Sequence, residues 1–227
     1  MKGDRFHRGA ADYARRVPEQ PSSGHAFLIV TEGKKTEPHY FERLRAMLRL
    51  RSVDVEIVHP EGTDPISLTR YAIGRKVERE RLGRHGIGVR YDEIWVVFDL
   101  EGMHDPRREQ AKSAMNMKEA RSIRFAQSDP SFEYWLILHF ENTHAPLSDS
   151  KDAENRLRRR QNWPDYEKAC IPPESVIEKI PCAIRNTKQC RAFHETAGGD
   201  GNPFTDVDFL VEELNSATRE HLRIPGV

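Results

Sequence analysis

Two short, continuous apolar runs constrain this chain most: Phe27-Leu28-Ile29-Val30, leading into Thr31-Glu32-Gly33, and Ile94-Trp95-Val96-Val97-Phe98, leading into Asp99. A strand that carries apolar side chains at successive positions has both faces buried, and such strands belong to parallel sheets covered by helices on both sides. A 227-residue chain that is 37% hydrophobic has material for one α/β core and an extension, and hardly for two independent domains.

The segments between and beyond these runs fit that architecture. Pro38 suits the first turn of a helix, Phe41, Leu44 and Leu48 recur at helical spacing, and a second strand over Val53 to Val58 completes a βαβ unit. Asp64 as N-cap and Pro65 at the first helical position open another helix, with Ile66, Thr69, Ile73 and Val77 as its apolar stripe. After Asp99 come a loop with Gly and Pro, a helix around Arg107 to Met117, a fourth strand near Ile123 to Ala126, and a helix opened by Asp129-Pro130 that carries Phe132, Trp135, Leu136 and His139. From about residue 141 the alternation gives way to polar segments, to Pro172-Pro173 and to Gly198-Gly199. A final helix, capped by Thr205 with Asp208, bears Val207, Leu210, Val211 and Leu214. The expected fold is α/β, a mostly parallel four-stranded sheet flanked by helices with a helical C-terminal extension. Residues 1–24 read as a flexible arm, 25–140 as the core, and 141–227 as a loop-rich helical extension packed on it.

Charge narrows the function classes. Lys and Arg number 36, as do Asp and Glu, so any surface for a polyanion has to be local. Three cysteines cannot build a disulfide framework, and Cys182, Cys190 and His194 lack the tight C-x-x-C spacing of structural zinc, which leaves buried or idle thiols as the default. No apolar run is long enough for a bilayer and the N-terminus has no signal-peptide core, so a cytoplasmic location without membrane contact is expected. The absence of a G-x-x-x-x-G-K-[ST] motif argues against autonomous ATPase activity.

In an open parallel sheet, ligands gather beyond the carboxyl ends of the strands, where Glu32 and the Asp99-Leu100-Glu101 step both fall. Carboxylates at i and i+2 supply the oxygen ligands of a hard cation, Mg2+ or Mn2+. Such a cation stabilises the charge that develops in phosphodiester transfer or cleavage, with Glu32 handling a proton or joining the ligands. The alternative is ordinary: an acid after a strand often caps a helix or is simply solvated.

One acid after the first strand and an acidic pair after a later one resemble the Toprim domain of topoisomerases, DnaG-type primases and OLD-family nucleases. The segment Val30-Thr31-Glu32-Gly33-Lys34-Lys35-Thr36-Glu37-Pro38-His39-Tyr40-Phe41 resembles the opening motif of the RloB-like family. Ile94 to Asp99, Ser128-Asp129-Pro130-Ser131-Phe132-Glu133-Tyr134-Trp135 through Phe140, Tyr166-Glu167-Lys168 and Asn202 to Val207 extend that likeness over about residues 26 to 215. The resemblance implies a Toprim-like, Rossmann-like fold and a nuclease acting on RNA or DNA in prokaryotic phage defence or abortive infection, alongside an ATPase partner. Asp99-Leu100-Glu101 departs from the broader D-x-D pattern, setting the second ligand one methylene farther from its backbone.

Further candidates surround this trio. Lys34 and Lys35 precede a predicted helix N-terminus, a place where N–H groups and cations hold phosphate, or else they belong to a solvated loop. Glu133 stands in an otherwise apolar segment, where a carboxylate needs a cation, a hydrogen bond or water, and it is a further catalytic candidate. His139 reads as a core or hydrogen-bonded histidine. Arg156, Arg158, Arg159 and Arg160, with Trp163, have the basic and aromatic mixture that binds single strands, or form a solvated helix face. Lys168 reaches the acids if the extension folds back over the sheet edge. A noncatalytic module that binds nucleic acid or an ATPase, and a nucleotidyl transferase, are the competing functions.

Overall fold

The computed structural model describes residues 25–51, 55–102, 105–198 and 201–227. The predicted arm over residues 1–24, Val53 and Asp54 of the predicted second strand, and Gly199 lie outside the described residues. The elements run β1 (Phe27–Thr31), α1 (Thr36–Met47), β2 (Val55–Val58), α2 (Pro65–Arg84), β3 (Glu93–Asp99), α3 (Arg107–Met115), β4 (Arg124–Asp129), α4 (Phe132–Ile137), α5 (Ser150–Leu157), α6 (Glu174–Ile177), α7 (Ile180–Ala197), β5 (Phe204–Thr205) and α8 (Val207–Ser216).

The sheet order is β2-β1-β3-β4-β5. The first three pairings are parallel, whereas β5 runs antiparallel to β4. Side-chain alternation along the two central strands builds a core on each side. Phe27 and Ile29 of β1 and Trp95 and Val97 of β3 face one core with Tyr40, Phe41 and Leu44 of α1 and every residue of α4 except Glu133. Leu28, Val30, Ile94, Val96 and Phe98 face the other, with Leu68 and Ala72 of α2 and Ala111 of α3. The continuous apolar runs are therefore two interleaved inward faces, as the parallel-sheet reading requires. Residues of the extension, among them Leu147, Leu157, Tyr166, Ile180 and Leu210, join the first core.

Several boundaries differ from the sequence reading. The sheet has five strands, not four, because Phe204–Thr205 returns from the extension to pair with Ser128 and Asp129. That pairing, with Asp99 opposite Ser128, holds β4 in the ladder through Asp129, beyond the predicted Ala126. Asp129-Pro130, a cis peptide, follows as a bend, and α4 opens only at Phe132. Thr205 is correspondingly a strand residue; Asp206 takes the N-cap position of α8, and Asp208 is buried against Arg191. The α2 stripe is also shifted. Asp64 caps the helix through Ser67 N–H as expected, but Leu68, Thr69 and Ala72 face the sheet and Val77 is 55% exposed. The predicted helix to Met117 stops at Met115 and continues as a 3-10 turn over Lys118–Ser122. Among the described residues no helix is long and apolar enough to cross a membrane.

Candidate functional site

The strand order reverses its direction of growth at β1 and β3: one crossover leads outward to β2, the other back across β1 to β3 and β4. Chain connections depart in opposite directions there and leave a crevice beyond the carboxyl ends. Glu32 follows β1, its N–H still donating to the Val97 carbonyl. Asp99 ends β3. Glu101 turns into the left-handed region at φ 58° and is held there by its N–H on the Pro130 carbonyl, 2.9 Å. This turn, rather than strand alternation, brings the second acid of the pair to the same place as the first. The three residues line one cavity of about 280 Å3, together with Glu37 and Glu133.

Burial and neighbouring carboxylates together perturb Glu32, Glu37 and Asp99. Glu32 Oε2 accepts from the Asp99 N–H at 3.0 Å and Oε1 from Arg107 Nη1 at 2.5 Å. Burial still raises the Glu32 carboxyl above its ordinary value, because those donors only partly offset it and Glu101 adds repulsion. Asp99 is raised well above the usual range by burial first, then by Glu37, Glu32, Glu133 and Glu101. Glu37, in the first turn of α1, accepts from the Gly33 N–H at 3.0 Å. Burial, with Glu133 and Glu32, pushes it up to about 7. Glu133 is only 2% exposed, and the partners that such a carboxylate requires are hydroxyls, Ser131 Oγ at 2.6 Å and Tyr166 Oη at 2.7 Å.

The chemistry of this donor set fits a hard divalent cation: carboxylate oxygens only, crowded, and with too few cations to neutralise them. The ligands are not gathered in advance, for among the described residues no three His, Cys, Asp or Glu side chains form a ready cage. Both Glu32 oxygens already accept hydrogen bonds.

The extension supplies the opposite wall. Lys168 and Ala169 line the cavity, as do Lys34 and Lys35 on the other rim. The Tyr166–Ala169 strap is fastened to α1 by the Ala169 N–H on Thr36 Oγ1, 3.2 Å, and by His39 Nδ1 on the Ala169 carbonyl, 3.0 Å. These bonds bracket a left-handed alanine, φ 76°. Burial alone would lower the Lys168 pKa, but Glu133, Glu154 and Asp99 outweigh it and hold the ammonium charged. The fold-back on which a role for Lys168 depended is thus present.

Other candidates lie elsewhere. Arg158 is engaged by the Tyr166 carbonyl at 2.9 Å and Glu154 at 3.1 Å, and it covers the Tyr166 ring. Arg159 is exposed, and neither arginine is among the residues that line the cavity. Arg156 binds Glu141, and Trp163 packs edge-on to Tyr166. His139 is buried between Tyr40 and the Trp135 carbonyl, as a core histidine should be. Cys190 Sγ donates to the Thr143 carbonyl and His194 pairs with the Pro203 carbonyl, so these two do not share a ligand.

Sequence reasoning missed Glu37, Arg107 and Tyr166 as members of the site. Glu37 had a signal, since a residue four positions after Gly33 on a first helical turn returns to the same loop. Tyr166 stands in the family-like Tyr166-Glu167-Lys168 segment, but nothing local aims its hydroxyl at Glu133; Arg107, the first residue of α3, had no signal, because only the tertiary structure brings it to Glu32.

No curated protein and no solved structure matches this chain. The family model for RloB-like protein matches residues 27–214, from the first residue of β1 into α8 and across every residue that lines the acidic cavity, and the chain belongs to the RloB-like family.

Proposed function

We propose that the chain is a Mg2+- or Mn2+-dependent nuclease of Toprim-like fold that cleaves nucleic acid phosphodiesters. The observation that carries this reading is the meeting of five carboxylates and three lysines on one cavity at the β1/β3 crevice. Glu32, Asp99 and Glu101 would hold the cation, which supplies charge stabilisation to the phosphoryl oxygens and acidifies a bound water. Lys34, Lys35 and Lys168 bind and orient the phosphate backbone. Glu37, held at about 7, has the proton affinity suited to acid–base work near neutral pH. Glu133 is fixed at the cavity wall by the Tyr166 and Ser131 hydroxyls. Membership of the RloB-like family supports a setting in phage defence with an ATPase partner; the chain itself then provides the cutting site and the partner the nucleotide-driven control.

A noncatalytic module that binds nucleic acid or an ATPase is the second reading, favoured by the engagement of both Glu32 oxygens. Cleavage of labelled tRNA, single-stranded DNA and duplex DNA in Mg2+ or Mn2+, with chelator and Glu32→Gln controls, separates the two. Metal-dependent cutting that Glu32→Gln abolishes is expected. Binding without cutting in any of these conditions would refute the nuclease and leave the module.

A further inference from the structure

Two consecutive arginines open α3, and they are held very differently. Arg108 pairs with Asp129, a fully buried carboxylate, and its Nε donates to the Gly102 carbonyl at 3.2 Å. That side chain anchors the loop after β3. Arg107 makes one close contact, Nη1 to Glu32 Oε1 at 2.5 Å; its other bonds, to the carbonyls of Asp99 and Thr63, are stretched to 3.4 Å. Both partners of the close pair keep some access to solvent, at 19% and 14% exposure. A guanidinium has five N–H donors in a planar fork, and here a single carboxylate oxygen takes up its only close bond.

A cation would draw on the same carboxylate. Glu32 Oε2 accepts from the backbone N–H of Asp99, a neutral donor that takes up only one of its lone pairs. A divalent ion on either oxygen would stand within a few ångströms of the Arg107 charge, where like charges at partial burial repel strongly. The cation and Arg107 therefore compete for one carboxylate.

We propose that Arg107 is a phosphate-binding residue stored on Glu32: a divalent cation displaces it from the carboxylate, and the released guanidinium takes a phosphate oxygen of the incoming strand. The inference rests on the reading that the cavity holds a divalent cation. It gives the site an order of assembly, because the guanidinium fork is free for phosphate only after the ion has entered. Phosphate is the natural second partner, since it offers the same planar pairing of oxygens as the carboxylate and brings the negative charge that Arg107 loses.

The test uses the full-length chain and two probes, Mn2+ alone and a short single-stranded oligonucleotide with a hydrolysis-resistant backbone, with Arg107→Gln and Arg107→Lys beside the parent. Storage and exchange predict effects of opposite sign. Arg107→Gln should bind Mn2+ about tenfold more tightly or better, since a like charge has gone. In saturating Mn2+ it should bind the oligonucleotide about tenfold more weakly, since a charge-assisted fork has gone. Arg107→Lys keeps the charge without the fork, so its Mn2+ affinity should stay near the parent's while oligonucleotide binding remains reduced. Weaker or unchanged Mn2+ binding in Arg107→Gln, with normal binding by the parent, would overturn the exchange and leave the metal reading intact. If neither the parent nor either variant binds Mn2+, the metal reading falls and takes this one with it.

Discussion

His139 makes the pH dependence of folding a direct test of how the core is wired. Its ring is 2% exposed. Nδ1 faces the Trp135 carbonyl at 3.0 Å and Nε2 the Tyr40 hydroxyl at 3.1 Å. A carbonyl can only accept, so Nδ1 carries the proton and Nε2 accepts from Tyr40, whose own pKa burial drives upward. Both ring nitrogens are satisfied in the neutral form. Burial, helped by Lys179, lowers the imidazole from 6.5 to about 4 against the opposing pull of the Trp135 carbonyl. The unfolded chain takes up a proton near 6.5, whereas the folded chain does so only near 4, so this contribution to stability is complete above about pH 6.5 and is lost as pH falls through that interval. At about 1.4 kcal/mol per pH unit, the whole interval is worth ~3 kcal/mol. Glu37 works in the opposite sense, since its folded value of about 7 lies above the ordinary 4.5 and costs stability as pH rises. The parent's profile alone is therefore uninformative; the difference between parent and His139→Gln is the measure. Urea unfolding of both at several values between pH 4.5 and 7.5 should show the parent gaining ~2–3 kcal/mol on the variant as pH rises. Parallel profiles would refute the assignment of a neutral, buried His139.

Three other perturbations read the acidic cavity itself. Glu37→Gln should stabilise the chain by about 1–3 kcal/mol in chelator at pH 8, where the parent's buried carboxylate is charged, and the gain should disappear below about pH 5; urea titration at the two pH values measures it. Tyr166→Phe leaves Glu133 with Ser131 as its one hydroxyl donor and should cost about 1–3 kcal/mol in the same assay. A Cβ added at Gly33 would overlap the Glu37 carboxylate, so Gly33→Ala should displace that side chain and lower the melting temperature by several degrees, about 1–2 kcal/mol for a chain of this size.

The central fold was legible because its signals are local. Continuous apolar strands, Asp64-Pro65 at a helix start, and the Phe41/Leu44/Leu48 spacing each follow from neighbouring residues. The fifth strand was not legible: Phe204–Thr205 is two residues long, and its conformation comes from pairing with β4 rather than from its own composition. The same pairing kept Ser128 and Asp129 extended and moved the helix start to Phe132. For the site, Glu32, Asp99 and Glu101 could be read from their places after strands, and Glu133 from the cost of burying a carboxylate. The place of Arg158 could not be read in advance, because a run of arginines carries no mark of the intramolecular acceptors, the Tyr166 carbonyl and Glu154, that engage it.

The cavity is costly for the fold that holds it. Desolvation and mutual repulsion raise Glu32, Glu37 and Asp99 together, so in the absence of a counter-ion the crevice works against the two-sided core around Phe27, Trp95 and Trp135. The cations supplied by the chain answer only part of this. Arg107 reaches a single oxygen of Glu32, and Lys168 divides its charge between Glu133, Asp99 and an exterior pair with Glu154. A site built only for stability would pair each acid or replace it with an apolar side chain. Here five acids line one opening, and the remaining lysines of its lining, Lys34 and Lys35, stand exposed on the rim. Net neutrality across the chain is compatible with such a division: negative charge concentrated in the crevice, where the proposed cation would sit, and positive charge at its mouth, where the proposed phosphates would bind.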